Sequence, residues 1–214
     1  ISAASTSNIE AIVATVSASV TGAGSTAVGA SIGASRARNF IGVTLDGVKS
    51  RAKSEASIRN SRITPGGDLN LTSISNQDID ADVWAASVAI SGGSNSVGLA
   101  GSGVETINDI YMDVSAYIDG DAGANGIQRD AIVVSATDNS TISAVGGAAS
   151  LAVAAGGTSV SVSIGVALAN NTIASDVEAY IINADANIET QIGSLQVKSQ
   201  NTMEIDATTT AASV

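Results

Sequence analysis

The 214-residue chain contains no cysteine and no histidine. The missing cysteine excludes disulfides, thiolate metal sites and thiol catalysis. The missing histidine removes the usual general base and the commonest transition-metal ligand. Aromatic residues make up only 2% of the chain, and there is one proline. Because a compact core of this size normally relies on aromatic anchors, burial must come from Val, Ile, Leu and Ala.

Basic residues are also scarce, and they are unevenly placed. The net charge is −11, from 9 Lys and Arg against 20 Asp and Glu, which disfavours nucleic acid as a partner. Residues 36–62 hold seven of the nine cations, and with Asp46 and Glu55 this segment nets 7 − 2 = +5, against 2 − 18 = −16 elsewhere. These seven cations are Arg36, Arg38, Lys49, Arg51, Lys53, Arg59 and Arg62.

This basic segment is the best candidate for contact with a partner. A positive patch fixes orientation on a negative surface, so we expect it to meet a neighbouring copy or repeat, or an anionic surface glycan. The alternative is a solvated insertion loop.

Long apolar runs are absent as well. Residues 139–175 carry no charge, but Ser, Thr, Asn and Gly interrupt the segment throughout. Its apolar residues alternate with small or polar ones, so we expect no membrane-spanning helix.

What the chain does contain is a sequence that recurs every 63 residues. The segment 113–118 (DVSAYI) returns at 176–181 (DVEAYI), and 176 − 113 = 63. AASV at 85–88 returns as AASL at 148–151 and as AASV at 211–214. A fixed period indicates a repeat array. We predict unit 1 at 1–75 with the basic insertion at 36–62, unit 2 at 76–138, unit 3 at 139–201 and the start of unit 4 at 202–214. Unit 1 has about six extra residues, and we expect the chain to be part of a longer protein.

The apolar pattern indicates strands. Large apolar residues alternate with small ones from Val160 to Leu168, which is the period of a β-strand. We predict an all-β fold, a β-solenoid resembling a parallel β-helix, in which the 63 residues form three coils of about 21 residues. The alternative is stacked antiparallel hairpins or β-sandwich repeats, since Gly-Gly-Ser follows the strand at 79–90. The predicted strands are 69–74, 79–90, 107–118, 132–136, 142–154, 173–182 and 195–199.

Stacking would place equivalent residues in columns. Asn39, Asn108 and Asn171 would form one, and Tyr117 and Tyr180 another. Stacked Asn side chains hydrogen-bond along a column; the alternative is that these Asn are ordinary turn residues.

The segment 161–173 (SVSIGVALANNTI) followed by 177–181 (VEAYI) resembles repeats of very large bacterial surface proteins, including leukotoxin-type filamentous adhesins. The resemblance is clearest in residues 76–214 and weakest at 36–62. It implies secretion, a fibrous or cell-surface role and no catalytic residues.

Acidic residues supply the remaining candidates. Asp119 and Asp121 open a Gly-rich stretch, 119–126, that resembles a calcium loop. Gly123 stands where the EF-hand needs an oxygen ligand, so a plain turn is the alternative. Asp78, Asp80 and Asp82 share one face of a strand, as solvated charge at a sheet edge.

We therefore predict a non-catalytic structural segment of a large secreted bacterial fibre, surface layer or adhesin, with no cofactor other than possible calcium. The alternative is a β-helix enzyme acting on polysaccharides, with Arg129 near Asp130 as the charged site.

Overall fold

The computed structural model describes residues 1–44, 46–122, 126–185 and 187–214. These residues form an all-β fold without a helix. The twelve strands are β1 (Ser2–Gly22), β2 (Thr26–Ile41), β3 (Ala52–Ser61), β4 (Leu69–Gly92), β5 (Asn95–Asp121), β6 (Ile127–Arg129), β7 (Ile132–Asp138), β8 (Thr141–Ala155), β9 (Thr158–Ile182), β10 (Ile188–Thr190), β11 (Leu195–Asn201) and β12 (Glu204–Ser213). Every predicted strand lies within one of them.

The strands form two large sheets and one small one. In the first sheet β4 pairs with β1, β7 and β8, and these last two pair with β11 and β12. In the second, β5 pairs with β2, β3 and β9; β6 and β10 pair separately. All these pairs are parallel. The antiparallel-hairpin alternative is wrong, because β4 and β5, which flank the turn at 93–94, lie in different sheets.

The pairing register has a long, constant offset. Asp78 of β4 pairs with Thr141 of β8 (141 − 78 = 63), and Asn95 of β5 pairs with Thr158 of β9 (158 − 95 = 63). The predicted 21-residue coils are therefore wrong, since a residue's hydrogen-bonded neighbour lies 63 residues away. β4 has 24 residues and β5 has 27, because no turn signal interrupts either strand. We call one passage through the sheets, from one such partner to the next, a layer.

Most of the extra residues of the first layer lie in one loop. The offset is 69 between β2 and β5 (Thr26 with Asn95) and 60 between β3 and β5 (Ala52 with Met112), so nine residues (69 − 60) are inserted within 42–51. The offset is 63 at Leu69, so three fewer residues (63 − 60) lie at 62–68. The offset between β1 and β4 is 70 (Ser2 with Thr72), so one more extra residue (70 − 69) lies in the turn at 23–25. The net surplus of the layer is seven residues (70 − 63), against the prediction of about six.

The main core lies between the two large sheets, at the end of the cross-section that contains β3, β6 and β7. Its side chains are aliphatic, with one Met and no aromatic ring, as the composition predicted. The largest fully buried members are Leu71, Ile79, Ile110, Met112, Ile118, Ile127, Ile132 and Ile142.

The other end of the cross-section, beside the turns at 23–25, 93–94 and 156–157, is a narrow blade. Its interior positions are Gly, Ala and Ser, and the sheets touch: a Cβ on Gly33 would lie 2.6 Å from the Ala86 carbonyl oxygen. Facing sheets usually pack about 10 Å apart. The large residues therefore point outwards, and Val160, Ile164 and Leu168 are 53%, 59% and 58% exposed. The composition predicted burial by Val, Ile, Leu and Ala, but in the blade only the small residues are buried.

Serine pairs bridge the interior of the blade. Ser31 Oγ donates to Ser17 Oγ at 2.9 Å in the first layer, and the hydroxyls of Ser150 and Ser163 are 2.7 Å apart in the third. The register gives their middle-layer equivalents as Ser87 and Ala100. Within the described part of the chain, the buried Ser87 hydroxyl has no hydrogen-bond partner.

We predict that Ala100→Ser stabilises the protein. The Ser side chains above and below show that the column has room, and the new hydroxyl would pair with Ser87, a gain of about 1 kcal/mol. Urea unfolding measures it.

The matched control is Ala100→Ser in a Ser87→Ala background, where the new hydroxyl has no partner and the gain should vanish. Equal effects in both backgrounds would contradict the assigned pair.

Candidate functional site

The predicted asparagine column is present. Asn39 Nδ2 donates to Asn108 Oδ1 at 2.8 Å, and Asn108 Nδ2 donates to Asn171 Oδ1 at 2.7 Å. Asn108 is fully buried, within β5, so the turn-residue alternative is wrong. Each Asn side-chain amide carries both a donor and an acceptor, so the amide of one layer can hydrogen-bond to the amides of the layers on both sides of it.

A tyrosine column runs along the outside of the same sheet. The rings of Tyr117 and Tyr180 stack with centroids 4.8 Å apart and planes 6° from parallel. The Tyr117 hydroxyl donates to Glu55 Oε1 at 2.8 Å, and Arg59 binds that oxygen at the same distance. Desolvation, and then the Glu178 carboxylate, raise the pKa of Tyr180.

We predict that Asn108→Leu lowers the free energy of unfolding by about 2 kcal/mol, because it leaves amides of the neighbouring layers without partners. Urea unfolding measures the change. The control is Asn139→Leu: Asn139 Nδ2 also donates to an Asn one layer away, Asn76, at 3.0 Å, but this pair is exposed, and we expect less than about 0.5 kcal/mol. Equal losses of unfolding free energy would show that the buried Asn column contributes no more stability than the exposed Asn pair.

The basic segment binds the chain's own second and third layers. Arg36 Nε lies 2.6 Å from Glu105 Oε2, and Lys53 Nζ lies 3.5 Å from Asp113 Oδ2. The acids are the register partners of these cations. The charge asymmetry of the sequence therefore corresponds, in part, to cations of one layer lying beside acids of the next.

Arg51 makes the most extensive of these contacts. Its Nη1 donates to the carbonyl oxygens of Met112 at 2.9 Å and Ala174 at 3.0 Å, and lies 3.2 Å from Asp176 Oδ2. The side chain is 34% exposed, so this single guanidinium ties three layers together.

The remaining cations of the segment have no such acid. Within the described ranges, no carboxylate lies within 4.0 Å of Arg38, Lys49 or Arg62. Lys49 Nζ lies 4.7 Å from the Tyr111 ring centroid, and the Arg38 guanidinium lies 5.4 Å from that of Phe40. Contact between the segment and a separate partner stays a prediction, and these three are the cations most open to it.

The two aspartates of the suggested calcium loop join successive layers. Asp119 Oδ1 accepts from Asn183 Nδ2 at 2.8 Å, and Asp121 Oδ2 accepts from the Asn187 backbone at 3.0 Å. Residues 123–125 of this loop lie outside the described residues. The residues that are described contain no cluster of three or more acidic side chains suited to a metal, and calcium stays a prediction.

Asp78, Asp80 and Asp82 lie on the outer face of β4, which pairs on both sides with other strands. The sequence suggested that these residues lie at a sheet edge, and that prediction is wrong. Thr141 Oγ1, one layer away, donates to Asp78 Oδ1 at 2.5 Å.

The charged site of the enzyme alternative is engaged in loop contacts. Arg129 Nη1 donates to the Gly66 carbonyl oxygen. Asp130 Oδ2 accepts from the Gly67 backbone at 3.1 Å. Both bonds run between layers, so these side chains hold the loop at 65–67.

The chain matches no known family model, no curated protein and no solved structure. No helix among the described residues is long and apolar enough to cross a membrane.

Proposed function

We propose that this chain is a stretch of β-solenoid, one 63-residue turn per layer, and serves as a non-catalytic structural segment of a large secreted bacterial protein. The observation that carries the proposal is the parallel register at a constant offset of 63. In this arrangement each layer is held by backbone hydrogen bonds to the next, so the repeat builds a continuous body.

The dimensions favour a broad body over a thin stalk. A layer uses 63 residues for an axial rise of about 4.8 Å. The 24 residues of β4 follow a path of about 80 Å. Of the roles that the resemblance to giant bacterial surface proteins suggests, a surface layer or thick fibre fits this shape best.

Open sheet edges support growth of the array. β1 and β2 each pair on one side only within the described ranges, as do β9, β11 and β12 at the opposite end. An unpaired parallel edge is a template for another layer. Further repeats of the same chain would satisfy these edges, so self-association or neighbouring repeats are the partners we propose.

The acidic surface suits a secreted location. A net charge of −11 keeps an extended protein soluble and disfavours nucleic acid. An anionic surface glycan, bound through the basic segment, is a second possible partner within the same proposal.

We expect stability to increase with the number of layers. Inserting further copies of residues 139–201 after residue 201 should raise the urea midpoint with each copy, since each adds an interface with its neighbour. Copies with the same composition in scrambled order serve as the control. A urea midpoint that does not change with copy number would indicate repeats that fold independently of one another, and would contradict the solenoid.

The location is tested separately. Antibodies raised against this chain should label intact cells of the source bacterium and decorate a wall or fibre in electron micrographs. Labelling only after the cells are broken open would overturn the structural surface role and leave the solenoid architecture untouched.

A further inference from the structure

The two outer faces of the blade are large, apolar and free of charge. Face A consists of the outward residues within 12–20 of β1, 84–92 of β4 and 147–155 of β8; face B consists of those within 28–34 of β2, 97–103 of β5 and 160–168 of β9. No charged residue occurs at 11–35, 83–104 or 139–175. Val16 on face A and Ile32 on face B are 78% and 79% exposed. Apolar patches of this extent mark interaction surfaces.

Charge differs at the rims of these faces. Glu10 and Asp80 are register partners at the rim of face A, with Asp82 beside them. At the rim of face B, Arg36 is paired with Glu105 at 2.6 Å. Arg38 is the cation of this rim that has no carboxylate within 4.0 Å among the described residues. Glu10 lies twelve residues before the end of β1 (22 − 10 = 12), and Arg38 lies twelve residues after the start of β2 (38 − 26 = 12). The acidic and basic rims are therefore equally far from the turn at 23–25.

Trp84, the only tryptophan, lies on face A and is 50% exposed. Its indole lies over Gly147 of β8, because a Cβ added to Gly147 would overlap the ring. The indole therefore stays partly open to water in a single copy and reports on whether face A is covered.

We propose that face A of one copy docks on face B of a second copy, with the blades aligned and Trp84 buried in the contact. Arg38 then faces Glu10 and Asp80 of the other copy. Docking A on A would bring two acidic rims together, and docking B on B would leave Arg38 without the acids of face A. Because each copy keeps one free face of each kind, the contact does not close and generates an open stack.

The contact area is sufficient for a specific complex. With the rims included, the faces run over about 13 residues of each strand, as at 10–22 of β1 and 26–38 of β2. Three such strands about 4.8 Å apart cover roughly 600 Å² per face, or about 1,200 Å² in total. That is the lower bound of a stable interface, and every further layer would enlarge it. The inference deepens the proposed function, because it makes lateral stacking of blades the way in which a wall or fibre thickens.

The full chain tests the proposal by sedimentation velocity over a range of concentrations, with Trp84 fluorescence as a second readout. The unaltered chain should form a concentration-dependent series of oligomers, and the emission should shift to the blue as the indole leaves water. Val16→Lys places a charge in the middle of face A and should block docking through it, and Ile32→Lys should do the same for face B. Both side chains are largely exposed, so folding should persist, as circular dichroism can check.

Each variant alone should remain monomeric, but an equimolar mixture of the two should form a one-to-one dimer and no larger species. The unaltered face A of one then meets the unaltered face B of the other. Association that one substitution abolishes and the other leaves intact would indicate an A–A or B–B contact and overturn the proposal. Association unaffected by either, as through the open sheet edges, would also overturn it while leaving the proposed array standing.

Charge reversal at the rim supplies an independent arm. Arg38→Glu should weaken association about tenfold, and Glu10→Lys with Asp80→Lys in the same chain should restore it. Lys198→Glu carries the same charge change on an exposed residue of β11, outside both faces and outside the basic segment, and should have no effect. Equal weakening by Arg38→Glu and Lys198→Glu would indicate a general charge effect and contradict the assigned rim. A chain that is monomeric at every concentration overturns the docking but not the solenoid, which the added-copy experiment tests on its own.

Discussion

The structure depends on parallel hydrogen bonding between residues one layer apart. That constraint turns a sequence repeat into a spatial column, since the residue 63 positions away becomes the nearest neighbour across the sheet. Cross-strand neighbours are the unit in which a sheet gains or loses stability. Each side chain therefore has to pack beside the side chain that lies 63 positions away in the sequence.

Different residue types meet this demand in different ways. Amides and aromatic rings benefit from like neighbours, as Asn108 with Asn171 and Tyr117 with Tyr180 show. Carboxylates repel, and two of them have a compensating neighbour: Thr141 follows Asp78, and Arg36 lies beside Glu105. Other carboxylates, such as Glu10 and Asp80, are register partners of each other on the outer face. Small residues in the blade let two sheets touch, which moves the larger aliphatic residues outside. The exposed apolar faces are thus a consequence of how the interior is packed.

The sequence carried part of this information. Alternation identified the strands, and the repeat identified the asparagine and tyrosine columns, because both signals are local or periodic. It could not show which strand lies beside which, so the predicted 21-residue coils were wrong. Nor could alternation tell inside from outside at Val160 and Ile164, since a face of Ser and Gly is buried only when an opposite sheet approaches closely. The Ser17–Ser31 bridge was missed for the same reason: it joins different sheets and depends on their separation.

The offset of 63 is tested most directly by spin labels, because the chain has no cysteine of its own. Labels on Ser143→Cys and Asp206→Cys, which are register partners on outward positions, should lie about one strand spacing, roughly 5 Å, apart at the backbone. Their electron paramagnetic resonance spectrum should be strongly broadened. Labels on Asp185→Cys and Asp206→Cys, which coils of 21 residues would place side by side, should show no such broadening. The reverse result would contradict the layer structure on which the whole account rests.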